Sequence, residues 1–187
     1  KNTNADNGWN CWHKDLTNKT SYWINLYNND AEASSTVIWN NTAPTTSVMS
    51  ANADWYSASR IGLWMFFAQV EGYSSFGSYV GNQDNDGPYV FVGFAVAWVM
   101  IKEIDASGSN WHIYDNKRRT YNPNTVDLNA DLNNAESYNA ADIDLLSSGF
   151  KIRTVGTGTN ESGKTYIYAA FAENPFGGSG VAQARAR

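Results

Sequence analysis

Apolar and polar positions alternate with a period of two along much of the chain, and no segment sustains the 3.6-residue period of an amphipathic helix. Residues 76–81 and 89–93 read as two strands joined in a hairpin across the turn-rich run Asn82-Gln83-Asp84-Asn85-Asp86-Gly87. Residues 95–104 form a long apolar strand, and residues 110–115 follow after a Ser-Gly-Ser turn. Residues 116–140, rich in Asn, read as a long loop with room for one short strand. Residues 150–155 and 164–173 are the last strands, separated by a Gly-rich hairpin loop at 156–163. Upstream, residues 9–13, 22–26, 47–51 and 60–70 carry the same character. Residues 140–146 are the single helix candidate, and it is short. Many short strands punctuated by Gly and Asn turns predict an all-β, antiparallel β-sandwich.

An internal repeat organises these strands. At an offset of 104, Ile24-Asn25 lies over Leu128-Asn129, Asn29-Asp30-Ala31-Glu32 over Asn133-Asn134-Ala135-Glu136, and residues 60–68 over 164–172. Upstream the offset falls to 102, with Trp9-Asn10-Cys11-Trp12-His13 over residues 111–115, and Lys1 falls over Lys102. The repeat implies a β module at residues 1–75 that lacks its opening strands, a complete module at 76–175, and a small, flexible tail at 176–187. The missing strands are expected either from an upstream part of a longer polypeptide or from another subunit by strand addition. The first residue is Lys rather than Met, so the lack of a leader sequence says nothing about localisation.

Composition narrows the function. The 187 residues are 42% apolar, 17% charged and 14% aromatic, with 23 Asn and a net charge of −5. Such a chain is too aromatic for disorder, and it lacks the basic stripe of a nucleic-acid binder. Its single cysteine, Cys11, allows neither an internal disulfide nor a cysteine metal cluster. The longest apolar run has eight residues, 94–101, too short to insert in a membrane as a helix.

Candidate chemistry is sparse. Asn82 to Gly87 overlaps the first half of a calcium loop, but its twelfth position is Gly93 rather than a carboxylate, so it reads as a turn. His13 and His112 do not fall at ligand spacing, and no nucleophile elbow or phosphate loop is present. No catalytic residue, metal ligand or cofactor is therefore assigned. Glu32 and Glu136 recur at matched positions, which suggests a shared structural role. Lys117-Arg118-Arg119 is the one cationic cluster, a solvated turn unless it meets a phosphate or anionic glycan. The aromatics are the strongest signal. Trp64, Phe66, Trp98, Tyr166 and Tyr168 alternate along strands and are expected in the core. Trp9, Trp23, Trp55, Tyr56, Tyr121 and Tyr138, in turn-rich segments, are the candidate ligand-binding residues.

The runs Gly77-Ser78-Tyr79-Val80-Gly81-Asn82, Gly87-Pro88-Tyr89-Val90-Phe91-Val92-Gly93-Phe94 and Ala97-Trp98-Val99-Met100-Ile101-Lys102 resemble a repeated domain of unknown function in virion and tail-fibre-like proteins of tailed, particularly marine, phages. The likeness continues through Asn133-Asn134-Ala135-Glu136 and residues 162–176 to the Ala184-Arg185-Ala186-Arg187 end. It implies lectin-like jelly-roll modules in a non-enzymatic structural virion protein, extracellular on the particle, of tail-fibre or receptor-binding type. Its expected partners are copies of itself, other virion proteins and host surface glycan, the last through exposed aromatics. A purely architectural role, as capsid decoration, fibre shaft or adaptor, is the alternative, and a glycan-degrading enzyme with two distant carboxylates the weaker one. Module one departs from the pattern at Arg60-Ile61-Gly62-Leu63-Trp64-Met65.

Overall fold

A computed structural model describes residues 1, 8–52 and 62–175. Its elements are β1 (Asn10–Cys11), β2 (Tyr22–Asn25), β3 (Ala33–Ser34), β4 (Ser74–Val80), β5 (Tyr89–Phe91), β6 (Val96–Glu103), β7 (His112–Asp115), β8 (Asn124–Asn129), β9 (Ser137–Leu145), β10 (Gly149–Ile152), the one-turn helix α1 (Thr157–Asn160) and β11 (Thr165–Ala172). The described chain is thus nearly all β, and every strand pairing is antiparallel. Among the described residues no helix is long and apolar enough to cross a membrane.

Eight strands form one nearly closed, barrel-like sheet in the order β4-β11-β6-β7-β8-β9-β10-β5. Its middle is a meander from β6 to β10, with β4 and β5 at the two ends of the order. β8 turns a corner: Asn124 to Asp127 pair with β9, while Leu128 and Asn129 pair with β7. The period of two decides what faces inward. Tyr166, Tyr168, Ala170 and Ala172 of β11 meet Val99 and Ile101 of β6, Tyr114, Ile143, Phe150 and Ile152 in one buried cluster. Rings contribute directed contacts there, with Tyr79 stacked on Tyr166 at 5.1 Å and Phe150 edge-on to Tyr168 at 5.3 Å.

The other face of β6 and β11 is also covered, which is why residues 94–101 read as an unbroken apolar run rather than an alternating one. The cover is the three-stranded sheet β1-β2-β3. Leu16 and Ile24 pack with Ile104, Trp111 and Ile167 in a second buried cluster, with Cys11 and Leu26 against it. Trp111 Nε1 donates to Asn25 O at 2.7 Å, Glu32 N to Ile104 O at 3.0 Å, Gly108 N to Asn29 O at 2.9 Å and Ala31 N to Ser107 Oγ at 3.1 Å. Burial against the sheet pushes the Cys11 thiol up to about 11, so it stays protonated at neutral pH.

The sequence repeat is also a structural one. Asn10↔Asn25 and Cys11↔Ile24 in β1–β2 correspond to His112↔Asn129 and Ile113↔Leu128 in β7–β8. Tyr22↔Ser34 and Trp23↔Ala33 in β2–β3 correspond to Val126↔Tyr138 and Asp127↔Ser137 in β8–β9. Leu26 N donates to Trp9 O as Ala130 N does to Trp111 O. Lys1 and Leu63 exchange backbone hydrogen bonds, at the matched position of the Lys102↔Ile167 pair. The offset is not constant throughout. Thr45 N to Val48 O is the copy of Leu146 N to Gly149 O, an offset of 101.

Several expected elements differ. Residues 76–81 and 89–93 do not form a hairpin with each other. Their strands, β4 and β5, lie at opposite edges of the sheet because β4 pairs with β11 and β5 with β10. The intervening loop is held instead by fully buried Asn160, whose amide donates to Asp84 O while its oxygen accepts Asn82 N. Residues 140–146 belong to strand β9 and its end rather than a helix, since Ile143 must reach the core and pair with Ile152. The 156–163 loop carries the one-turn helix α1, and 116–140 contains β8 and the start of β9. Residues 47–51 and 63–69 are irregular. Phe66 is exposed, stacked on half-buried Trp64 at 6.0 Å, and Trp98 is half-buried, whereas Tyr166 and Tyr168 are in the core. The 176–187 tail lies outside the described residues.

Candidate functional site

The six candidate aromatics separate into distinct places. Trp9 is half-buried beside β1, and Trp23 is half-buried within β2 with its indole nitrogen enclosed. Trp55 and Tyr56 lie outside the described residues. Tyr121 and Tyr138 are both strongly exposed, 62% and 70%, and the fold brings them to a common cationic group.

The loop between β7 and β8 builds this surface. The Asp115 carboxylate accepts the backbone N–H of Lys117 and Arg118 and the Arg118 guanidinium, and Arg118 also donates to Ile113 O at 2.9 Å. These bonds, with the Arg118 charge, hold the Asp115 carboxyl below the usual carboxylate range against the opposing effect of its burial, the largest single influence. Downstream, Asn124 Nδ2 reaches back to Asp115 O, and Asn122 exchanges two hydrogen bonds with the backbone of Leu145 on β9. The loop tip is thereby fixed, and the Arg119 guanidinium lies 3.8 Å from the centre of the Tyr121 ring. Tyr138, at the start of β9, donates its hydroxyl to Glu136 at 3.0 Å. That bond and the Glu136 charge raise the phenol above its ordinary value, while Arg119 and Arg118 act in the opposite direction.

The result is a surface of two phenol rings, two guanidinium groups and one carboxylate. Phenol faces stack on the apolar faces of sugar rings, and guanidinium forks bind carboxylates or sulfates. A shallow groove of about 570 Å³, lined by Asn122, Pro123, Asp144, Arg153 and Asn85, adjoins the same loop and offers amide and charged partners for hydroxyls. Sequence reading marked Tyr121, Tyr138 and the cationic run separately. Their convergence follows from β8–β9 pairing and had no local signal.

The matched glutamates each brace the loop that follows the first strand of their hairpin. Glu32 accepts Thr17 N at 2.9 Å, and Glu136 lies 3.8 Å from Arg118. The Asn82–Gly87 run is a series of side-chain-capped turns, with Asp86 paired to Lys151 at 2.9 Å. Among the described residues, no group of three or more His, Cys, Asp or Glu side chains stands where it would hold a metal ion.

One titratable cluster escaped sequence reading. His112 Nδ1 lies 2.8 Å from buried Asp127, with Asn129 beside them, and Tyr114 OH donates to Asp142 at 3.4 Å. A His–Asp pair resembles part of a hydrolytic triad. Here, however, the far side of the imidazole is filled by α1: a Cβ on Gly158 would stand 2.5 Å from His112 Nε2. The pair therefore fastens β7 to β8 beneath the helix.

No curated protein and no solved structure matches this chain. One family, described as Domain of unknown function (DUF7483), matches residues 1–175. With its repeat, its barrel-like sheet and its aromatic surface lying inside those bounds, the chain belongs to that family.

Proposed function

We propose that the chain is a non-catalytic module of an extracellular virion protein, of tail-fibre or receptor-binding type, that contacts host surface glycan through Tyr121, Arg119 and Tyr138. The observation that carries this reading is the Arg119–Tyr121 stack with exposed Tyr138 bonded to the neighbouring Glu136. An exposed aromatic held by hydrogen-bonded backbone loses little entropy on meeting a ligand. In this reading the eight-stranded sheet serves as a lectin-like jelly-roll sandwich, with β8 turning from one half to the other, and the groove beside Asn122 takes the sugar hydroxyls. Glycan-array screening followed by calorimetry tests it. Tyr121→Ala and Tyr138→Ala should each weaken glycan binding at least tenfold with the circular-dichroism spectrum unchanged. Binding unaltered by both substitutions, or no glycan bound at all, overturns it.

The architectural alternative, as shaft, decoration or adaptor, is favoured by a different observation. Leu63, Met65, Phe66, Phe67 and Val70 are all exposed in succession, an apolar strip of the kind that subunit contacts cover.

A further inference from the structure

The contact between the two halves of the molecule is made by a surface that the chain possesses twice. The amino-terminal copy, comprising Cys11, Ile24, Leu26 and the segment 29–32, is seated on Ile104, Trp111 and Ile167. Its second copy is Ile113, Leu128, Ala130 and the segment 133–136, which has the same strand register and the same hydrogen bond from residue 130 to Trp111 as from residue 26 to Trp9. Ile24 is 1% exposed under its contact, whereas Leu128 is only half-buried and Ala130 and residues 133–136 are exposed. The receiving face is also duplicated. Trp9 and Leu63 occupy the positions of Trp111 and Ile167, and Leu63 is 50% exposed. Among the described residues there is thus one filled contact, one uncovered docking face and, at Leu63, an exposed part of a second receiving face.

We propose that a second copy of this chain seats its Trp9–Leu63 face on the Ile113–Leu128 face, repeating between molecules the contact that β1–β2 makes with Trp111 and Ile167 within one. The interface is heterologous, so repetition adds copies head to tail until a ring closes or a filament grows. It is weaker than the internal contact, because Arg118 and its neighbours stand in the loop where module one carries buried Leu16, and its strength is salt-dependent. This assembly goes beyond the glycan reading and leaves the Tyr121 and Tyr138 rings open, while Arg118 and Glu136 stand at its edge. Tyr138 falls over Ser34, and Tyr121 over residues 17–19, all of which stay exposed in the internal contact.

Sedimentation velocity on the full chain, from low to several hundred micromolar, tests the proposal. The wild type should gain mass with concentration. Leu128→Asp, the exposed-site variant Ala130→Arg and, on the other face, Leu63→Asp should each weaken association at least tenfold with an unchanged thermal midpoint. Mixing Ala130→Arg with Leu63→Asp, each keeping one competent face, should give a 1:1 dimer that grows no further. Tyr138→Ala should associate as the wild type does, even if it loses glycan binding. A wild type that stays monomeric throughout, variants that associate normally, or a mixture that yields no dimer would overturn the proposal; normal association by all three variants would point to the β4 and β5 edges instead.

Discussion

Protonation of His13 tests how the amino-terminal sheet is fastened to the barrel. The imidazole sits between the two, with Nε2 3.2 Å from Tyr168 O and Nδ1 accepting the Asp15 N–H at 3.2 Å. A carbonyl on one side and an N–H on the other fix the neutral tautomer with its hydrogen on Nε2, and a second proton would face the Asp15 amide. Burial is the main cause that takes the pKa down from 6.5 to about 4, opposed by Asp15 and the Tyr168 carbonyl. The folded value is below the unfolded one, so the unfolded chain binds more protons between them. Stability is complete above pH 6.5 and declines as pH falls through the window. At pH 5 the two values give a loss of about 2 kcal/mol, approaching about 3 kcal/mol at pH 4. Urea unfolding followed by tryptophan fluorescence at pH 7.5 and pH 5.0 measures it in the wild type and in His13→Gln. The carboxyl of Glu103, raised by burial, contributes with the opposite sign in both proteins and cancels in the difference. The wild type should lose about 2 kcal/mol more than the variant over this interval. Equal losses would refute the reasoning and place His13 in contact with solvent.

Three further substitutions examine the packing. Trp111→Phe removes the indole donor to Asn25 O and leaves that carbonyl buried, so thermal and urea unfolding should report a loss of about 2–4 kcal/mol; a change under about 0.5 kcal/mol would mean that the amino-terminal sheet is not seated there. Gly149→Ala places a Cβ 2.0 Å from Val90 O between β10 and β5, and should lower the melting temperature by about 6–12 °C. Gly108→Ala meets nothing within 4 Å and bears only the strain of its φ of +106°, so a cost of about 1–2 kcal/mol is expected. Equal effects at the two glycines would count against the β10–β5 pairing.

The repeat was the most informative feature of the sequence, and its reach has a physical basis. In a strand pair, register and sidedness are set together, so matching residues at 10–11, 22–25 and 33–34 to those at 112–113, 126–129 and 137–138 matches their hydrogen-bond partners too. What misled was local composition. Ala-Ala-Asp-Ile-Asp-Leu-Leu reads as a short helix, yet Ile143 is more favourably placed as a core residue paired to Ile152. The turn-rich run after Val80 reads as a hairpin loop, yet Asn160, 76 residues from Asp84, holds it. Phe66 reads as a core residue because it alternates along a strand-like run, and its repeat partner Ala170 is indeed in the core with β4 and β6 on either side, but the chain around Phe66 is irregular and exposed.

By itself, the sequence determined the antiparallel β character and the duplicated units, because alternation, turn residues and repeats are properties of neighbours along the chain; it placed Trp23 and Tyr138 in turn-rich segments, whereas they stand in β2 and β9. Only the tertiary structure decided that the amino-terminal sheet shares a buried cluster with the outer face of the barrel-like sheet, that β4 and β5 lie at opposite ends of the strand order, and that Arg119, Tyr121 and Tyr138 form one surface. These depend on contacts between residues tens of positions apart, and such contacts are chosen by the packing of whole faces rather than by any local preference.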